Sequence, residues 1–465
     1  MKKLFLLIAL TLCSFLQAQD ITGDWHGLLK FPGGQFPIDF HVTKTATGYT
    51  ATMDSPDQGA MGIPVTTTIF ENNILVFAIP EGNLSYKGTL EGTTVKGTFS
   101  QNGGNVPMDL SREAIKAEAV KRPQEPVKPY PYFEEEVFIK NDKAGVTLAG
   151  TLTLPKQGGT NYPAVILITG SGAQDRNEEI LGHKPFLVLA DYLTRQGFAV
   201  LRYDDRGTEK STGNYVTATT QDFATDAEAV FAYLKTRKEI NPKKIGLAGH
   251  SEGGVVSPIV AVNNPDVAFI VMLAGTAIPG DELMMLQNYL IGKANGMPEA
   301  ELTKLGNINR AIYNLIKEEQ DPQILKSRLK AQFNKDLKPL LLSKGIPEAQ
   351  IGPYIDGQVG DLATPWYTTF IRYNPYPVLE KVKCPILALN GSKDVQVAPK
   401  ANLDAIKRAA EKSGNKKFTT QELPGLNHLF QTSTTGSPTE YGEIEETFSP
   451  AALKIVGDWI ALQVK

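Results

Sequence analysis

Two hydrophobic periodicities divide the chain. Up to about residue 112, apolar positions come in short alternating runs punctuated by glycine and asparagine. In Phe36-Pro37-Ile38-Asp39-Phe40-His41-Val42 the residues Phe36, Ile38, Phe40 and Val42 fall on one face and Pro37, Asp39 and His41 on the other. That is the two-residue period of a strand buried on one side. Pro37 suggests an edge strand or a strand start. Further β-prone runs at 74–77 and 95–99 lie beside the turn signals Asn72-Asn73 and Asn102-Gly103-Gly104. With no sustained helical period before Ala114, residues 19–112 are expected to form a small all-β domain.

Residues 113–131 change character, with mixed charges followed by Pro123, Pro126, Pro129 and Pro131. Such spacing predicts a semi-rigid extended linker. From residue 132 to the end, apolar strands are expected at 135–139, 147–154, 164–169, 199–203, 245–248, 268–273, 386–390 and 418–422. Helical patterns follow at 186–196, 221–237, 400–412 and 450–464. Apolar strands alternating with helices predict an α/β domain, a mostly parallel sheet covered on both faces, which binds its ligand at the carboxyl ends of the strands. Residues 280–365 interrupt this rhythm with a long stretch of helical period rich in Lys, Glu, Leu and Met. It is expected to form a helical cap over the sheet, with Met284, Met285, Trp366, Tyr367 and Phe370 as candidates for a pocket lining or for internal packing.

Composition narrows the function. The 465 residues carry 42% hydrophobic positions and a formal charge of −3, enough for a substantial core and without the basic face that a nucleic-acid partner would need. Residues 1–18 combine Lys2-Lys3, an apolar run and a small-residue end at Ala18, the pattern of a secretory signal. Its apolar run is shorter than the roughly 20 residues that span a bilayer. The chain is therefore expected to be exported, periplasmic or secreted, without a membrane span; lipidation of Cys13 is the alternative. Cys384 is the only other cysteine and is expected to be a structural thiol, so the exported chain relies on its core rather than on a disulfide.

The chemistry centres on Gly249-His250-Ser251-Glu252-Gly253-Gly254, which follows an apolar strand and precedes a small-residue helix. A Gly-x-Ser-x-Gly in that setting is a nucleophile elbow, its flanking glycines required where a side chain would strike the adjoining strand or helix. A serine hydroxyl needs a base, and the base an orienting carboxylate. Of the five histidines, His26 and His41 lie in the β-domain, His250 should point away from Ser251, and His183 is possible. His428 is better placed, in the loop after the last strand; Asp394 sits in the loop after the preceding one, with Asp404 a weaker alternative. The oxyanion donors are expected to be the backbone N–H groups of Glu252 and of Ser171 in Gly170-Ser171-Gly172. Gln174-Asp175-Arg176-Asn177 and Tyr203-Asp204-Asp205-Arg206-Gly207 are expected to fix loops through salt bridges more than to bind substrate.

On these motifs, the region from about Phe133 to the end resembles a bacterial alpha/beta-hydrolase of the secreted carboxylesterase group. It departs at Thr169, where many relatives have a histidine. The opening Gly23-Asp24-Trp25-His26-Gly27 resembles the start of small lipocalin-like β-barrels. The resemblance implies a serine carboxylesterase acting on small esters through an acyl-enzyme, with catalytic Ser251, Asp394 and His428 and with no metal or cofactor. The alternatives are a serine peptidase resembling the prolyl-oligopeptidase catalytic domain, and a non-catalytic envelope binding protein. Acyl and alcohol specificity, oligomeric state and the role of the β-domain stay open.

Overall fold

The computed structural model describes residues 20–31, 34–55, 60–80, 84–101, 104–114, 121–156 and 159–465. The expected signal segment, Cys13 and the Asn102-Gly103 turn lie outside the described residues. The chain divides into two compact units, the second running from Ala119 to Lys465.

The first unit contains only antiparallel strands: β1 (Gly23–Phe31), β2 (Gly34–Thr45), β3 (Gly48–Ser55), β4 (Ala60–Val65), β5 (Thr67–Glu71), β6 (Ile74–Ile79), β7 (Leu84–Glu91), β8 (Thr94–Gln101), β9 (Gly104–Pro107) and β10 (Leu110–Ser111). They pair in the order β4-β3-β2-β1-β10-β8-β7-β6-β5, with β9 also on β8. The two ends of that order, β4 and β5, are separated in the chain by Thr66 alone, so connectivity draws the edges together. Four strands lie between β2 and β6 in the pairing order, yet Phe40 of β2 stacks on Phe77 of β6 with ring centroids 4.3 Å apart. The sheet therefore curls around one core that includes Trp25, Phe40, Phe77 and Tyr86. Of the predicted inward face, Ile38, Phe40 and Val42 are buried and Phe36 is half-buried, as are the outward Pro37, Asp39 and His41. Pro37 marks neither a strand start nor an edge strand: it lies inside β2, which begins at Gly34 and runs between β3 and β1, and it precedes the β2–β3 pairing that begins at Asp39. Asn72 and Asn73 adopt φ of 51° and 61°, the left-handed pair that a tight hairpin demands between β5 and β6.

The second unit is a mixed sheet in the order β11-β12-β14-β13-β15-β16-β17-β18. Its strands are β11 (Phe133–Asn141), β12 (Val146–Leu154), β13 (Tyr162–Ile168), β14 (Ala199–Tyr203), β15 (Ile240–His250), β16 (Ile270–Leu273), β17 (Ile386–Gly391) and β18 (Phe418–Leu423). Pairing is antiparallel from β11 through β12 to β14 and parallel across the rest. Strand β13 shows why the central strands read as unbroken apolar runs. Ala164, Ile166 and Ile168 enter the core on one face, and Val165 and Leu167 the core on the other. Helices α2 (Thr220–Thr236), α3 (Gly253–Asn263) and α10 (Pro399–Ser413) cover the first face; α1 (Pro185–Arg195) and α11 (Pro450–Gln463) cover the second.

Between β16 and β17 the chain leaves the sheet for six helices: α4 (Gly280–Ala294), α5 (Glu299–Glu318), α6 (Pro322–Ser343), α7 (Glu348–Leu362), α8 (Pro365–Arg372) and the short α9 (Tyr376–Leu379). The expected end at Pro365 is corrected. That proline opens a helix instead of closing one, since it sits in the first turn of α8 behind Thr364, whose side chain accepts the Tyr367 N–H. Trp366, Tyr367 and Phe370 thus belong to the insertion.

The proline-rich stretch needs a correction too. From Arg122 onward it is bound to the second unit and is not a free linker. The Arg122 guanidinium donates to the carbonyl oxygens of Leu181, Gly442 and Ile444 at 2.9, 3.0 and 2.7 Å. Gln124 donates to the Phe448 carbonyl and accepts the Thr447 N–H. Prolines remove backbone donors, and here side chains supply the attachment instead.

Candidate active site

Strand β15 ends at His250 and helix α3 begins at Gly253, leaving Ser251 and Glu252 to turn the chain. Ser251 adopts φ of 51°, a left-handed conformation that side chains rarely take and that persists only where its surroundings enforce it. The flanking glycines make the turn possible. A Cβ at Gly249 would strike the carbonyl of Gly253, and one at Gly253 the carbonyl of Ile168 in β13. The Ser251 N–H is tied to the Leu273 carbonyl at 2.9 Å, which anchors the elbow to β16.

Asp394 and His428, predicted from loops 34 residues apart, meet: His428 Nδ1 lies 2.9 Å from Asp394 Oδ2, with both residues buried. The other carboxylate oxygen, Oδ1, accepts the backbone N–H groups of Gln396 and Val397 at 2.9 and 2.8 Å. The two loops are laced by the N–H of Lys393 on the Leu426 carbonyl, at 2.9 Å. Gly391 is needed there because a Cβ would strike that same carbonyl. Asp404, the alternative acid, is half exposed on α10 and bonded to Lys400. Ser251, Gly170, Asp394 and His428 all follow the carboxyl ends of parallel strands, where the sheet topology puts a ligand.

A Cβ on Gly170 would come within 3.2 Å of Ser251 Cβ, so the Gly170-Ser171-Gly172 loop lies against the elbow. The Thr169 hydroxyl donates to buried Asp205 at 2.9 Å, and Asp205 also accepts the Gln174 N–H at 3.1 Å. The departure at Thr169 thus leaves a satisfied local network. The charged segments fix loops as expected: Arg176 grips Asp204 at 2.6 Å and Arg206 grips Asp226 at 2.6 Å.

Two contacts were not foreseen. The carboxyl of Glu252, expected to matter only through its backbone, is buried and accepts the Thr220 hydroxyl at 2.6 Å and the Trp366 indole N–H at 2.8 Å. Trp366 comes from α8, so the helical insertion touches the residue next to Ser251. Burial raises the Glu252 carboxyl above its ordinary value of 4.5. The folded protein then holds this proton more tightly than the unfolded chain. Stability is therefore lost as pH rises above about 4.5. Glu252→Gln keeps the acceptor oxygen and removes the charge, so its Tm should exceed that of the wild type progressively at alkaline pH. Parallel Tm–pH curves for the two proteins would contradict this.

His250 was the second surprise. It does not stand aside: it reaches Glu178, which was not singled out, at 2.8 Å and the His428 carbonyl at 3.0 Å. The acidic run around Glu178 was visible in the sequence, but its partner lies 72 residues away.

His183 is removed from the candidate bases. Its ring is fully buried and bonded to the Thr447 hydroxyl, the Tyr441 carbonyl and the Gln431 side chain. Burial pushes it down to about 4 from its ordinary 6.5. Because the unfolded histidine protonates first, stability should fall by up to about 3 kcal/mol as pH drops from 6.5 to 4. His183→Gln should flatten this acid limb in a Tm–pH series; an unchanged slope would refute it. His26 pairs with Asp39, and His41 with Asp24 and Asp54, all within the first unit. Cys384 is half-buried, and burial pushes its thiol up to about 12, as suits a structural cysteine.

A mostly parallel sheet wrapped by helices, with a serine elbow and an Asp–His pair in the later loops, defines an alpha/beta hydrolase. The chain belongs to the X-Pro dipeptidyl-peptidase (S15) family, whose pattern residues 144–421 match. Among individual relatives, it is 32% identical to the esterase EstD of Thermotoga maritima over 171 residues, which is 36% of this chain and 40% of that protein. It is 25% identical to a monoglyceride lipase homolog of Monkeypox virus over 177 residues, 37% of this chain and 61% of the relative. The chain thus spans less than two thirds of the length of either relative. A solved esterase of Pyrococcus furiosus superposes with a TM-score of 0.43 at 16% identity, over 75% of this chain and 100% of that one. Among the described residues, no helix is long and apolar enough to cross a membrane.

Proposed function

We propose that this hydrolase is a serine carboxylesterase that cleaves small carboxylic esters through an acyl-enzyme. The observation that carries the reading is the buried Asp394–His428 pair, held by loops at the same sheet edge as the strained Ser251. In this mechanism Ser251 Oγ attacks the ester carbonyl as His428 Nε2 takes its proton. The protonated His428 is stabilised by Asp394 and returns the proton to the departing alcohol. Water then repeats the sequence on the acyl-Ser251 ester and frees the acid. The N–H groups of Ser171 and Glu252 have no acceptor among the described residues and are assigned to the oxyanion. The helical insertion is assigned as a cap, supported by the Trp366 bond to Glu252, and the chain as an exported enzyme on the strength of its first 18 residues.

Family membership favours a second reading, a peptidase releasing X-Pro dipeptides. Both share the acyl-enzyme and differ in the leaving group and in recognition of a substrate amine. Purified protein assayed on p-nitrophenyl esters of increasing chain length and on Xaa-Pro anilides separates them. Ester turnover without anilide turnover is expected; efficient Xaa-Pro cleavage with poor ester turnover would replace the esterase reading.

A further inference from the structure

We infer that His250 is a buried imidazolium that donates from both ring nitrogens and thereby positions the oxyanion loop and the base loop around Ser251. This rests on the catalytic reading proposed above.

The argument is one of donors and acceptors. His250 Nε2 faces the backbone carbonyl of His428 at 3.0 Å. A carbonyl oxygen can only accept, so Nε2 carries a proton. Nδ1 faces Glu178 Oε1 at 2.8 Å, and the same oxygen accepts the Gly170 N–H at 2.6 Å. A carboxylate oxygen that accepts the Gly170 N–H keeps a lone pair for the ring, and the proton shared between that oxygen and Nδ1 is assigned to the nitrogen. A ring protonated at both nitrogens is the cation, paired with the Glu178 carboxylate. Histidine and glutamate are both buried, with side chains 8% and 5% exposed. The titratable groups facing the ring are Glu178 from the loop after β13, Asp394 from the loop after β17 and His428 from the loop after β18. Burial works against the charge, and these carboxylates with the His428 carbonyl outweigh it, holding the His250 pKa above the ordinary histidine value.

The two bonds span three parts of the site. Through Glu178 the ring fixes Gly170, next to the proposed oxyanion donor Ser171; through the carbonyl it fixes the backbone of the base itself. Glu178 adopts a left-handed φ of 52° to do so. Folding alone does not require an ion pair desolvated in this place, since apolar packing of similar volume is often at least as stable. The pair also has a polarity. Its cation lies against His428, with ring centroids 4.7 Å apart, and its anion at the opposite ring nitrogen.

Two measurements on the full chain test this. In the Ser251→Ala protein, nitrogen-resolved NMR of the histidine side chains should find both His250 ring nitrogens still protonated at a pH above the ordinary histidine value. A single protonated nitrogen there would overturn the inference, whatever the activity assays give. In kinetics, Glu178→Gln should lower kcat by about 100-fold, the scale of a small misplacement of reacting groups, with KM little changed. Glu178→Asp should restore part of the rate. Wild-type kcat in folded Glu178→Gln, with turnover still dependent on Ser251, would overturn the positioning role alone. Turnover that survives Ser251→Ala would overturn the reading of the site on which it rests.

Discussion

Ser251→Ala should abolish ester turnover, with a fall in kcat on the order of 10⁶ by analogy with the loss of a nucleophilic serine elsewhere. The fold should survive. The Ser251 side chain is only partly buried, and the backbone bond that anchors the elbow, from the Ser251 N–H to the Leu273 carbonyl at 2.9 Å, does not involve it. Circular dichroism and Tm should therefore stay close to wild type while initial rates on p-nitrophenyl esters drop to background. A folded mutant with undiminished ester hydrolysis would sink the mechanism.

Asp394→Asn should lower kcat by as much as about 10⁴, and the hydrogen bonds explain why a nearly isosteric change is so damaging. Asp394 Oδ1 accepts two backbone N–H groups, from Gln396 and Val397. In asparagine the carbonyl oxygen must keep that role, which turns the NH₂ group towards His428 Nδ1. The ring must then accept at Nδ1 and carry its proton on Nε2, the nitrogen proposed to take the Ser251 proton, where it can no longer act as a base. Substrate binding does not depend on this tautomer, so KM should change little. A folded Asp394→Asn protein with near-normal turnover would move the acid elsewhere, and Asp404, exposed and bonded to Lys400, is poorly placed to take over.

Much of this architecture was legible in the sequence because it rests on local patterns. The run 164–168 is apolar on both faces, and β13 covers it within Tyr162–Ile168. The elbow was readable because its glycines answer short-range collisions: Gly249 with Gly253, and Gly253 with the neighbouring strand. Asp394 and His428 could be placed because each lies in the loop after one of the last two strands, the first of them apolar from Ile386 to Leu389. What stayed hidden depends on partners distant in the chain. Pro365 looks like a helix stop until the Thr364 cap behind it is seen. The Glu178–His250 pair spans 72 residues and the Trp366–Glu252 bond 114, and no period or motif links either pair. His183 and His428 differ by environment more than by sequence. One ring is enclosed by Thr447, Tyr441 and Gln431, and the other is turned towards a carboxylate.

The most direct test of the account is covalent trapping. An organophosphonate reacts readily only with an activated serine. Incubation of the purified protein with such a reagent, followed by intact-mass measurement and peptide mapping, should find one adduct per chain on Ser251, appearing as ester hydrolysis disappears and absent from Ser251→Ala. An adduct on another serine such as Ser171, or loss of activity without any adduct on Ser251, would contradict the account.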